Sequence, residues 1–62
     1  MRSLQSQDTR QRIIAAAERL FAAKGFDGAT MRELTTQAKA NLAAVNYHFG
    51  SKAGLLEEVF RT

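Results

Sequence analysis

The stretch Asn41-Leu-Ala-Ala-Val-Asn-Tyr-His-Phe-Gly-Ser-Lys52, followed by Leu55, Leu56, Val59 and Phe60, decides the fold. Asn41 has the side chain of a helix N-cap, and Gly50 closes the short helix that it opens. Ser51 caps a further helix whose apolar face is Leu55, Leu56, Val59 and Phe60. Upstream, Thr30-Met-Arg-Glu33 has the spacing of a capping box, in which each end side chain satisfies the other's backbone N–H. Met31, Leu34 and Ala38 follow at i, i+3 and i+7, and Lys39-Ala40 forms the turn. Two short helices in tandem, over about residues 30–49, are the parts of a helix-turn-helix.

A longer helix precedes them. Asp8 or Thr9 can cap it, and Ile13, Ala16, Ala17, Leu20 and Phe21 form one apolar stripe, with Arg10, Arg12, Glu18 and Arg19 on the other faces. Gly25 supplies the left-handed residue that ends this helix near Lys24, Phe26 can fold back on the last turn, and Asp27-Gly28-Ala29 is turn chemistry. Residues 1–7 are polar and aperiodic and read as a flexible arm ahead of a domain over residues 8–62. The expected fold is all-α: a three-helix, homeodomain-like helix-turn-helix bundle with the start of a fourth helix. That fourth helix meets no stop signal after Phe60, so the chain reads as a piece of a longer protein or as a helix feeding a second domain.

The composition excludes several classes. A chain of 62 residues holds one small domain, and at that size only about 60% of the unfolded surface is buried. With no cysteine there is neither a disulfide staple nor a thiolate metal site, and the default setting is cytoplasmic. No apolar run approaches the roughly 20 residues that a membrane span needs. The basic residues are scattered, which disfavours a membrane-surface helix as well. One histidine, adjacent Glu57 and Glu58 that diverge on a helix, and no glycine-rich phosphate loop give no basis for an enzyme. No catalytic residue, cofactor or metal is expected. Nine Lys and Arg against six Asp and Glu leave a net charge of +3, which suits a polyanionic partner.

Together, Ile13-Ile-Ala-Ala-Ala-Glu-Arg-Leu-Phe21, Gly25-Phe26, Thr30-Met-Arg-Glu-Leu34 and the stretch from Asn41 to Lys52 resemble the N-terminal DNA-binding domain of the TetR family of bacterial transcriptional regulators. The resemblance covers roughly residues 9–60. It implies a reader of a pseudo-palindromic double-stranded DNA operator, in a homodimer formed through a C-terminal domain not present here. A small-molecule inducer is then expected only for the full-length protein. Two positions depart from the pattern. Lys39 stands where the family usually has glycine in the turn, and Asn46 stands where many members have the first of two aromatics.

On the third helix, Val45 and Phe49 centre the buried face, Ala43, Ala44 and Tyr47 point away, and Leu42, Asn46 and His48 lie on the flanks. In the helix-turn-helix geometry the exposed face near the N-terminal end of this helix enters the major groove, and the resemblance implies base or phosphate contacts at Leu42, Ala43, Ala44, Asn46, Tyr47 and His48. Asn46 can bind adenine in a bidentate manner, and Ala43 and Ala44 are small enough to meet thymine methyls. Tyr47 and His48 carry donors for phosphate oxygens, although His48 is equally placed to pack on the first helix, and Leu42 to pack beside the core. Thr30 at a helix start, Arg32, and Lys52 in a first helical turn, where the dipole disfavours it, complete the expected set. The competing class is a small helical interaction module that docks through its apolar fourth helix. Selection from random DNA is expected to return half-sites containing A·T steps; uniformly G·C half-sites would contradict this assignment of the third helix.

Overall fold

Among the described residues Gly25, Lys39 and Gly50 have positive φ, and each marks a point where regular helical backbone is interrupted or ends. The computed structural model describes residues 2–61, with side chains over residues 8–61; Met1 and Thr62 lie outside them. Four helices follow in order: α1 (Arg2–Gly28), α2 (Met31–Ala38), α3 (Leu42–Phe49) and α4 (Lys52–Arg61). Within α1 the regular backbone is interrupted at Gly25 (φ 78°, ψ 167°), the position expected to end that helix. The Phe26 ring turns back on Phe21, with centroids 5.6 Å apart, and Ala29 N–H donates to the Gly25 carbonyl at 3.1 Å.

The start of α1 departs from expectation. The helix begins at Arg2, within the segment read as a flexible arm, and Asp8 lies inside it instead of capping it. The segment holds neither glycine nor proline, and Arg, Leu and Gln are good helix formers, so nothing in it stops the helix. A polar, aperiodic pattern shows that a segment has no face to bury. It does not show that the segment lacks helical backbone. Asp8 instead pairs with Arg12, one turn further on.

All four helices contribute to one core. Ile13, Ala16, Ala17 and Leu20 of α1 meet Leu34 and Ala38 of α2, Val45 of α3 and Leu55 of α4. Ile14, off the expected stripe, is buried at the edge of the α1 face that α2, α3 and α4 cover, and Ala29 is buried in the turn between α1 and α2. Phe21, Met31 and Phe49, on faces expected to be buried, are half-buried and pack against this core. Four of the buried residues are alanines, Ala16, Ala17, Ala29 and Ala38, and such small side chains let helix axes approach toward the short end of the usual 8–10 Å.

The turn from α2 to α3 keeps the left-handed conformation that a glycine would favour. Lys39 has φ 56° and ψ 43°. Its N–H donates to the Thr36 carbonyl at 3.3 Å and Ala40 N–H to the Thr35 carbonyl at 3.0 Å, the pair of bonds of a Schellman ending. The conformation costs a non-glycine residue roughly 1–2 kcal/mol, so the surrounding contacts impose it.

The corner between α3 and α4 is tighter still. Gly54 N–H donates to the Ser51 hydroxyl at 3.1 Å, and a Cβ at Gly54 would sit 2.2 Å from the Phe49 carbonyl oxygen. Neither atom group can swing aside, since one is the α4 backbone and the other the end of α3. Gly54→Ala is therefore expected to lower stability by about 1–3 kcal/mol in chemical denaturation. An unchanged midpoint would mean that the corner is looser than described.

Candidate nucleic-acid interface

Helix α3 is fixed at both ends and along one face. The Asn41 side-chain oxygen accepts from Ala44 N–H at 2.8 Å, and Gly50 N–H donates to the Asn46 carbonyl at 2.9 Å. Val45 is fully buried, and Phe49 is half-buried with the Arg10 guanidinium 5.5 Å from its ring centroid. The outward arc then holds Leu42, Ala43, Asn46 and Tyr47, spanning roughly 140° at 100° per residue. Leu42 is 51% exposed and Tyr47 is 83% exposed. A helix locked through its caps and inner face, with small and polar side chains outward, is a rigid probe for a groove.

Ala44 and His48 are the less exposed of the expected contact residues on α3. Ala44, read as pointing outward, is half-buried against the core, because it neighbours Val45 on a helix seated against α1, α2 and α4. His48 is half-buried, its ring edge-on to Tyr47 at 5.1 Å and tilted against Phe49 at 6.0 Å. Its ring partners are thus its neighbours on α3.

The start of α2 carries the expected capping box. Thr30 Oγ1 accepts from Glu33 N–H at 3.1 Å, and Thr30 N–H donates to the Glu33 carboxylate at 3.3 Å. The Thr30 hydroxyl also donates to that carboxylate at 3.2 Å, so its oxygen is committed to the fold. Of the four N–H groups that a helix start orphans, the box takes those of Thr30 and Glu33 and leaves those of Met31 and Arg32 at the tip. Lys24 reaches across from α1 to pair with Glu33. The Lys24 ammonium, then the Thr30 N–H, hold the Glu33 carboxyl below the ordinary glutamate range.

The remaining cations divide into two groups. Arg10 and Arg61 pair with Glu58, and Arg12 pairs with Asp8. Among the described residues Arg19 on α1, and Arg32, Lys39 and Lys52 on the elements flanking α3, pair with no carboxylate. Lys52 has an apolar partner that the sequence did not reveal: its Nζ stands 4.5 Å from the centroid of the Phe26 ring. This contact accounts for part of a placement that the helix dipole disfavours. Sequence reasoning also missed Arg12, whose Nε donates to the Ala38 carbonyl at 3.0 Å and whose Nη2 reaches the Lys39 carbonyl at 3.4 Å. Its position beside Ile13 at the stripe's edge was visible. The carbonyls that it meets, 26 and 27 residues away, were not.

Among the described residues no group of three His, Cys, Asp or Glu could hold a metal ion, and no helix is long and apolar enough to cross a membrane.

Residues 13–59 match the family described as bacterial regulatory proteins, tetR family. The chain is 41% identical over 51 residues to the probable HTH-type transcriptional regulator YttP of Bacillus subtilis, covering 82% of this chain and 25% of that protein. It is 37% identical over 59 residues to the HTH-type transcriptional repressor NicS of Pseudomonas putida, covering 95% and 28%. The crystal structure of HlyIIR, a hemolysin II transcriptional regulator, superposes with a TM-score of 0.86 at 33% identity, over 92% of this chain and 32% of that one. The chain thus spans between a quarter and a third of the length of these proteins.

The Glu33 box yields a pH test. A carboxyl whose folded-state pKa is depressed contributes stability that is present above its unfolded value, about 4.3, and is lost as pH falls through the folded value. Wild type and Glu33→Gln should therefore differ in denaturation midpoint near neutral pH, with wild type the more stable, and should converge as the solution is acidified below about pH 4. A gap independent of pH would remove the charge of Glu33 from the account.

Proposed function

The chain belongs to the TetR family of bacterial regulatory proteins as its DNA-binding domain, and we propose that it is the operator-reading part of a dimeric, ligand-responsive transcriptional repressor. The observation that carries the reading is the outward arc of α3, where Ala43, Asn46 and Tyr47 stand exposed on a helix capped at both ends. Asn46 pairs with adenine, Ala43 approaches thymine methyls, and Leu42 lies against the groove wall. Tyr47, His48, Arg32, Lys52 and the α2 tip at Thr30 contact phosphates, and Ala44 supports the arc from beneath. Repression follows from occupying the operator, and NicS, a relative of similar sequence, is named a repressor.

Dimerisation and inducer binding are assigned to the length by which the relatives exceed the matched region. Two readers held by one dimer address a pseudo-palindromic site with half-sites about one helical turn apart or a multiple of it. Such a regulator acts in the cytoplasm. An isolated reader has few contacts, so the affinity of this chain alone should be low.

A second reading, a protein-interaction module, draws on a groove of about 470 Å³ between α1 and α4, lined by Phe21, Phe26, Leu56, Val59 and Phe60 among others. Salt separates the two readings, because phosphate contacts release counterions. Titration of a mixed-sequence duplex should show affinity falling steeply between low and moderate salt. A Tyr47→Ala, Lys52→Ala chain should bind markedly more weakly, with the slope of log affinity against log salt reduced by about one. Tyr47 is 83% exposed, so its truncation should change stability by under about 0.5 kcal/mol. Equal binding by both chains would remove these residues from the interface, and salt-independent behaviour would favour the interaction module.

A further inference from the structure

Arg12 stands on α1, away from the outward arc of α3, yet its guanidinium reaches the turn that aims α3. The last carbonyls of a helix lack intrahelical donors. In α2, those of Thr35 and Thr36 are satisfied by the N–H groups of Ala40 and Lys39. The Ala38 carbonyl receives Arg12 Nε at 3.0 Å, and the Lys39 carbonyl receives Nη2 at 3.4 Å. The third guanidinium nitrogen pairs with Asp8, one turn back on α1, which holds the plane of the group in place. A cation at a helix C-terminus also meets the negative end of the dipole. All of this converges on Lys39, the non-glycine residue held at φ 56°. Asn41 begins the capping of α3 two residues later.

We propose that Arg12 is a positioning residue for DNA reading: its guanidinium clamps the left-handed turn at Lys39 and thereby sets the angle between α2 and α3. The proposal rests on the reading of α3 as the recognition helix. Arg12 acts through the backbone of the turn and makes no phosphate contact of its own. The clamp compensates for a lysine where the turn geometry favours glycine, so the two positions are coupled. With glycine at position 39 the turn holds its conformation without strain, and the guanidinium becomes dispensable.

The test uses the duplex that this chain selects from random DNA, compared with an unselected duplex of equal length. Arg12→Ala should weaken binding to the selected duplex by about tenfold, reduce the preference over the unselected one, and leave the salt slope unchanged. Arg12→Lys, which keeps the charge and loses the planar fork, should resemble Arg12→Ala. Lys39→Gly in the Arg12→Ala background should restore most of the lost affinity. A salt slope lowered by about one would instead make Arg12 a phosphate contact, and a failed rescue would uncouple it from Lys39; either result overturns the proposal. Amide exchange provides a readout independent of DNA. The Ala40 N–H should exchange at least about tenfold faster in Arg12→Ala while core amides of α1 remain protected. Unchanged exchange at Ala40 overturns the clamp itself. Accelerated exchange together with unchanged binding of the selected duplex by Arg12→Ala overturns the positioning role while leaving the contact with the turn in place.

Discussion

The structure depends on burial of one face of α1 against three helices too short to stand alone. Helices α2 and α3 have eight residues each and α4 has ten, below the roughly 12–15 at which an isolated helix becomes marginal in water. Ile13, Ala16, Ala17 and Leu20 supply the surface on which Leu34, Val45 and Leu55 settle. Val45 and Leu55 are fully buried, so each short helix is tied to α1 by an apolar anchor. The orientation of α3 is accordingly a tertiary property. Its own eight residues set which side chains it displays, and α1 sets where it displays them.

Local chemistry made most of this legible in the sequence. The Thr30–Glu33 box, the Asn41 cap and the breaks at Gly25 and Gly50 are each decided by residues within four positions of one another, and each is present as read. The readings that changed depend on distance or on geometry that no period encodes. Helix α1 runs back to Arg2 because an absence of apolar spacing carries no information about backbone. Ala44 turns inward, and Ile14 and Ala29 join the core, as parts of a packing that all four helices build together. Lys52 stands over Phe26 and Arg12 over the Ala38 carbonyl, both contacts between segments far apart in the chain. The closeness of the Phe49 carbonyl to Gly54 is likewise a matter of how α3 and α4 meet, which no sequence period encodes. Within the candidate site, the exposed arc of α3 could be read from the sequence, whereas the supports behind it could not.

Charge is distributed by the same division of labour. The described ion pairs join α1 to α2 through Lys24 and Glu33, and α1 to α4 through Arg10 and Glu58. Glu33 and Glu58 thereby fasten two of the short helices to the long one. Among the described residues Arg19 on α1, and Arg32, Lys39 and Lys52 beside α3, pair with no carboxylate, so three of these cations stay available to a polyanion near α3. A net charge of +3 alone does not specify this; the arrangement of partners does.

The alanine-lined contacts have an evolutionary consequence. Ala16, Ala17 and Ala38 are buried on helices that pack together, and a larger side chain at such a site in a close-packed interior forces its neighbours to shift. Such a shift would change what α3 presents without altering any residue on its outer face. Drift at these inner positions can therefore retune which sequence a descendant prefers, and two lineages with identical outer arcs can diverge in the sites that they recognise.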